Sequence, residues 1–166
     1  MAQSSSFDVT TSVDLQEVDN AVNQAQKEIA TRYDFKGATA TIEFRRGEGQ
    51  LILTADSDFR MRALLDILQS RLIKRGVPVR NLELGDTKPA GGDLVRKEIG
   101  LKMSLSGDVA KKVAATVKEA KLKRVQAAIQ GDQVRISSPS KDELQLAIAL
   151  LRSTDFGVEL KFGNYR

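Results

Sequence analysis

The stretch Lys121–Ser137, KLKRVQAAIQGDQVRIS, carries the reading of the fold. It reads as the end of a basic helix, a strand, a tight Gly131-Asp132 turn and a second strand. Val125, Ala127 and Ile129 alternate with Arg124, Gln126, Ala128 and Gln130, giving one apolar and one polar strand face. Such alternation marks a half-buried strand of an antiparallel sheet. Past the turn, Val134 and Ile136 continue the apolar side, and Gln133, Arg135 and Ser137 the polar side. A glycine in the turn supplies the positive φ that a two-residue hairpin needs. The polar face, rich in Arg and Gln donors, is the expected ligand surface.

Working outward, a strand over Val95–Leu105 places Ile99, Leu101, Met103 and Leu105 on one face. Asp108 caps a helix carrying Val109, Val113 and Val117. After the hairpin come a helix from Asp142 to about Ser153 and a last strand, Val158–Phe162. The N-terminal half repeats this order. A strand over Ser6–Val13 leads to a helix capped by Asp14, with Glu17 at the capping-box position. Strands Ala40–Arg46 and Gln50–Asp56 flank Gly47-Glu48-Gly49, and Ser57 or Asp58 caps the next helix. Leu82 and Leu84 mark a short fourth strand, and Gly85–Asp93, GDTKPAGGD, reads as a linker. The chain therefore predicts an α+β protein of two ferredoxin-like βαββαβ domains, residues 1–88 and 89–166. Each has a four-stranded antiparallel sheet with two helices on one face and the other face open. The pattern leaves unresolved whether the first strands pair within their own halves or are exchanged.

Composition narrows the chemistry. Zero cysteines exclude disulfides, thiolate metal sites and a Cys nucleophile, and zero histidines remove the commonest general base and metal ligand. No apolar run approaches the ~18 residues of a membrane span, and MAQSSSFDV has no signal-peptide pattern, so a cytoplasmic protein is expected. Residues 1–88 hold 12 Lys/Arg against 13 Asp/Glu, and residues 89–166 hold 14 against 9. A basic half beside a neutral one points to a localised anionic partner.

The expected ligand face of the second domain collects Lys102, Ser104, Arg124, Gln126, Gln130, Arg135 and Lys161. Lys111, Lys118 and Lys121 fall on one side of the preceding helix, with Lys123 following. Arg and Lys neutralise phosphates, while Gln and Ser hydrogen-bond sugars or base edges. Taken alone, the helical lysines read more simply as a solvated helix face; the basic strand face beside them is what points to a ligand. The third strands carry no aromatic, so the stacking platform of the RNA-recognition fold is missing. A second candidate corner is RYDFKG, where Arg32, Phe35 and Lys36 end a helix, taken together with Ser6, Phe7 and Asp8. Its simpler reading is an aromatic anchor with charged caps. Asp8 and Asp34 as a catalytic carboxylate pair find no supporting His or metal cluster, and no Walker loop or GxGxxG is present.

The blocks SFDVTTSVDLQEVDNAV, RYDFKG, LLDILQSRLIKRG, KLKRVQAAIQGDQVRISSPSKDELQ and LKFGNYR together closely resemble the bacterial YajQ-like proteins. The resemblance spans nearly the whole chain. It implies two ferredoxin-like domains and a nucleotide-binding role, with purine nucleotides, RNA or cyclic di-GMP as ligands, and implies no enzymatic activity. The expected function is a non-catalytic nucleotide binder without cofactor or metal. The alternative is a regulatory adaptor whose open sheets bind a protein partner or a second copy.

Overall fold

The computed structural model describes residues 4–166; Met1–Gln3, where the signal-peptide reading begins, lie outside the described residues. The chain is α+β, with four helices and two antiparallel sheets among those residues. The first half comprises β1 (Ser5–Thr10), α1 (Leu15–Thr31), β2 (Ala40–Arg45), β3 (Gln50–Ala55), α2 (Asp58–Lys74) and β4 (Leu82–Leu84). Then follow β5 (Lys88–Pro89), β6 (Val95–Leu101), α3 (Gly107–Glu119), β7 (Gln126–Gln130), β8 (Gln133–Ser138), α4 (Lys141–Arg152) and β9 (Lys161–Gly163).

Each helix starts at a side-chain cap. Asp14 accepts from the main-chain N–H groups of Gln16 and Glu17, and Ser57, Ser106 and Ser140 do the same for α2, α3 and α4. A cap of this kind contributes about 1 kcal/mol. Ser106, not the expected Asp108, holds α3, because the helix begins at Gly107.

The chain divides into two compact units. The first joins the described residues through Ser12 to Met103–Arg166, and its sheet runs β7-β8-β1-β9. With α3 and α4 this is a βαββαβ unit whose first strand comes from the far end of the chain. Phe7, Val9, Val134 and Ile136 are fully buried against Val113, Val117, Leu144 and Leu151. The second unit, Val13–Lys102, has the order β2-β3-β6-β4, with β5 beside β6. Leu51, Leu53 and Ile99 pack there with Val18, Leu64, Leu68 and Leu72. Both units fit the ferredoxin-like pattern, with their first strands exchanged.

The expected boundary between residues 88 and 89 is thereby corrected. β1 pairs with β8 and β9, while β6 pairs with β3 and β4. GDTKPAGGD is not a linker but part of the second sheet: Lys88 and Pro89 pair with Arg96 and Val95. Its first glycine answers a close approach. A Cβ on Gly85 would stand 2.8 Å from the Glu98 carbonyl oxygen, to which the Gly85 N–H donates. The true crossings, Ser12 to Val13 and Lys102 to Met103, carry neither Gly nor Pro. Recounted over these units, the first holds 11 Lys/Arg against 8 Asp/Glu and the second 15 against 14, so the charge contrast is milder than expected.

Candidate functional site

Directly opposed residues in an antiparallel ladder share a face. In the first unit this puts Gln126, Ser137 and Ser6 in one row, and Ala128, Arg135, Asp8 and Gly163 in the next. Gln130 and Gln133 form a third row at the hairpin end, and Thr10 and Lys161 pair on the same face. At the centre, Asp8 is 4 % exposed. Arg135 Nε donates to its Oδ1 at 2.9 Å, and Asn164 Nδ2 donates to its Oδ2 at 2.6 Å. The Arg135 hydrogen bond, then that from Asn164, hold the Asp8 carboxyl below the usual carboxylate range against the opposing effect of burial. The same bond raises the Arg135 guanidinium above its ordinary value. Arg135 is thus committed within the protein.

Asn164 reaches Asp8 because the chain bulges after β9. Asp8 lies opposite Gly163, yet Ser6 exchanges main-chain hydrogen bonds with Arg166, so the tail carries one residue more than β1. The extra residue takes a left-handed conformation, Asn164 φ 54°, as bulges of this kind require. The bulge keeps Tyr165 beside Phe7, their ring centroids 6.2 Å apart, with Phe162 edge-on to Phe7 at 5.9 Å.

Next to this tail is a pocket of about 310 Å³. Phe7, Leu144 and Ile148 supply apolar lining, and Ser5, Ser6, Lys141, Gln145, Tyr165 and Arg166 supply polar atoms and one aromatic ring. Its size falls at the lower end for small-molecule sites, which are largely apolar with a few polar groups. Tyr165 is 62 % exposed. Lys141 occupies the first position of α4, where the helix dipole favours anions, so its charge gains little from the helix itself. Asp142 and Glu143 of the same turn do not line the pocket.

Strand register shows what else gathers at this end of the sheet. Gln126 opens β7 opposite Ser137, which lies opposite Ser6. The residues just before Gln126 therefore share this end with the pocket. Lys121, Lys123 and Arg124 are all exposed there, and Lys121 and Arg124 adopt positive φ, 53° and 58°. Three strand spacings, about 14 Å, separate the β7 edge from the tail.

The family model described as "Nucleotide-binding protein YajQ-like" matches residues 5–166. The chain belongs to the YajQ-like family. A protein of Desulfitobacterium hafniense named "Nucleotide-binding protein" is 48 % identical over 166 residues, covering all of both chains. Proteins of the same name from Desulforamulus reducens and Chloroherpeton thalassium are each 45 % identical over 166 residues, covering all of this chain and 99 % and 100 % of theirs.

In this YajQ-like chain the expected site residues scatter. Gln126, Gln130, Arg135 and Lys161 do lie on one sheet face, but Arg135 is bound to Asp8 and Lys161 Nζ donates to Ser12 Oγ at 2.8 Å. Arg124 is a turn residue, not a strand residue, because β7 begins only at Gln126. Lys121 lies beyond the end of α3, off the helix face that carries Lys111 and Lys118. Lys102 belongs to the second unit, where its main chain is held by Asn81, and so is not on this face.

The second expected corner is divided: Ser6, Phe7 and Asp8 lie in the first unit and Arg32, Phe35 and Lys36 in the second. Phe35 is a buried anchor with the Arg32 and Arg60 guanidinium carbons 5.7 and 6.0 Å from its ring centroid. Arg32 also forms a fork to Asp34, holding its carboxyl below the usual range. No group of three or more His, Cys, Asp or Glu able to hold a metal occurs among the described residues. Lys141, Asn164, Tyr165 and Arg166 were missed from sequence. Their signals are a cation at a helix start and a Gly-Asn pair closing a strand, in SKDE and FGNYR.

Proposed function

We propose that this protein is a non-catalytic, cytoplasmic nucleotide binder that holds one nucleotide in the first unit's pocket. The base rests on Tyr165, the phosphate lies at Lys141 and Arg166, and the Ser5 and Ser6 hydroxyls serve the sugar. The observation carrying this reading is the pocket itself, where an exposed aromatic ring, two cations and two hydroxyls share about 310 Å³ with an apolar lining. The names of the relatives support the ligand class. Lys121, Lys123 and Arg124, with Gln126, stand at the same sheet end and receive the second half of a dinucleotide such as cyclic di-GMP. A single exposed ring in a small pocket suits one base better than a run of stacked RNA bases. No helix among the described residues is long and apolar enough to cross a membrane.

Calorimetric titration with GTP, ATP, cyclic di-GMP and a short single-stranded RNA, at low and physiological salt, tests the reading. Saturable binding of a mono- or dinucleotide with a shallow salt dependence is expected, against the steep dependence of a backbone-tracking RNA binder. Tyr165→Ala should weaken binding about tenfold or more, and Lys141→Ala/Arg166→Ala should weaken it further. Unchanged affinity in both variants overturns the pocket assignment, and nucleotide turnover by the purified protein overturns its non-catalytic character.

A further inference from the structure

β7 is an edge strand of the first unit's sheet. Edge strands expose a row of unpaired main-chain groups, and proteins normally blunt them with charge, proline or a bulge. β2, an edge of the other sheet, is blunted in this way, with Glu43 and Arg45 paired along it. β7 is QAAIQ, without charge or proline. Its hairpin loop has two residues, with Gln130 opposite Gln133. In such a loop the flanking pair exchanges both hydrogen bonds, so Gln130, Ala128 and Gln126 point their main-chain groups inward to β8. Ala127 and Ile129 then point theirs outward. No turn, loop or cap hydrogen bond reaches either residue among the described residues, and the Ile129 side chain is 46 % exposed.

We infer that β7 is a pairing edge for the β7 of a second copy of this chain, joined antiparallel about a two-fold axis through Ala128. That register is the one in which the outward groups and the charges agree together. Ala127 of one copy faces Ile129 of the other and the pair exchanges hydrogen bonds, twice by symmetry. Ala128 faces Ala128, a small residue at the crowded axis. Gln126 faces Gln130, and two amides donate and accept mutually. Past the strand ends, the turn residue Arg124 of one copy and the loop residue Asp132 of the other fall at the same end of the seam with opposite charges. A shift of two residues either way loses the Arg124–Asp132 match and leaves strand positions unpaired. The exposed Ile129 is covered in the same step. This goes beyond the nucleotide reading; it shares Arg124 with that reading and is tested without nucleotide.

The test is sedimentation equilibrium of the full chain from low micromolar to the highest soluble concentration. A monomer–dimer equilibrium is expected, and Ala127→Pro, which removes an outward N–H that β8 does not use, should leave only monomer. Arg124→Asp and Asp132→Arg each set like charges across the seam and should weaken dimerisation about tenfold; the double reversal should restore it. Aspartate suits the left-handed position of residue 124, so a folding defect does not mimic the loss, and rescue by the double variant would not follow from a structural lesion. A protein monomeric at every concentration overturns the inference. So does a dimer that Ala127→Pro and both single reversals leave intact, since another surface would then hold it.

Discussion

Two arginine–carboxylate pairs with equally short Nε bonds, the second contact being 3.5 Å in one and 2.8 Å in the other, sit in opposite settings. Arg135 and Asp8 meet at 2.9 Å across 127 residues of chain, with the Asp8 side chain 5 % exposed. Arg32 and Asp34 meet at 2.9 and 2.8 Å only two residues apart, with their side chains 40 % and 51 % exposed. Distance alone would rank them together, but surroundings separate them. Water replaces the exposed fork at little cost. The Asp8 carboxylate, once stripped of its donors, has nowhere to turn. The buried pair also does something the local one does not: it is satisfied only when β1 lies beside β8 in one register. It therefore marks the exchanged strand as belonging to the first unit.

Removing what seats β1 should have the largest effect. Phe7 is fully buried, and Phe7→Ala should cost about 3–5 kcal/mol in urea denaturation. Because Phe7 packs with α3 and α4, amide exchange in those helices should rise while α1 and α2 keep their protection. Were β1 part of the second unit, the pattern would be reversed. Asp8→Ala comes next, at about 2–3 kcal/mol, less than a fully enclosed pair because Arg135 keeps some access to water.

Acid sharpens the same point. The folded Asp8 carboxyl titrates below its ordinary value of 3.8. Its contribution is therefore present above that pH and is lost as pH falls through the folded value. Asp8→Asn should be less stable than wild type near neutrality, and the gap should narrow steadily below pH 3.8. A gap that stays constant into strong acid would mean that Asp8 stabilises without its charge.

The strands and helices were legible because each announces itself locally: alternation in β8, an apolar stripe in α1, a serine or aspartate before each helix. Strand exchange was not legible in the same way. β1 and β6 are both apolar-alternating segments of similar length, and periodicity is blind to which sheet a strand joins. The Gly/Pro cluster misled for a physical reason, since a hairpin and an interdomain linker need the same permissive backbone. The candidate site was legible only in its residue types. Residue type located the cations of the hairpin, but not that Arg135 is consumed by Asp8. Nor did it reveal that a one-residue bulge at Asn164 carries Tyr165 and Arg166 to the pocket.

The smallest effect is expected at Arg32. Arg32→Ala removes the fork to Asp34, a bond to Glu28 and one of the guanidiniums over Phe35. Each loss has a substitute: Asp34 turns to water, Glu28 keeps Arg71 at 2.7 Å, and Arg60 remains over the ring. The denaturation midpoint should move far less than in Asp8→Ala, and salt should shrink the difference further, because exposed charges are screened. The Asp8→Ala loss should hardly respond to salt. If Arg32→Ala proved as costly as Asp8→Ala at every ionic strength, burial would not be what separates the two pairs. The RYDFKG corner would then owe its stability to the arrangement of the Arg32 and Arg60 guanidiniums rather than to Phe35 seated in the core.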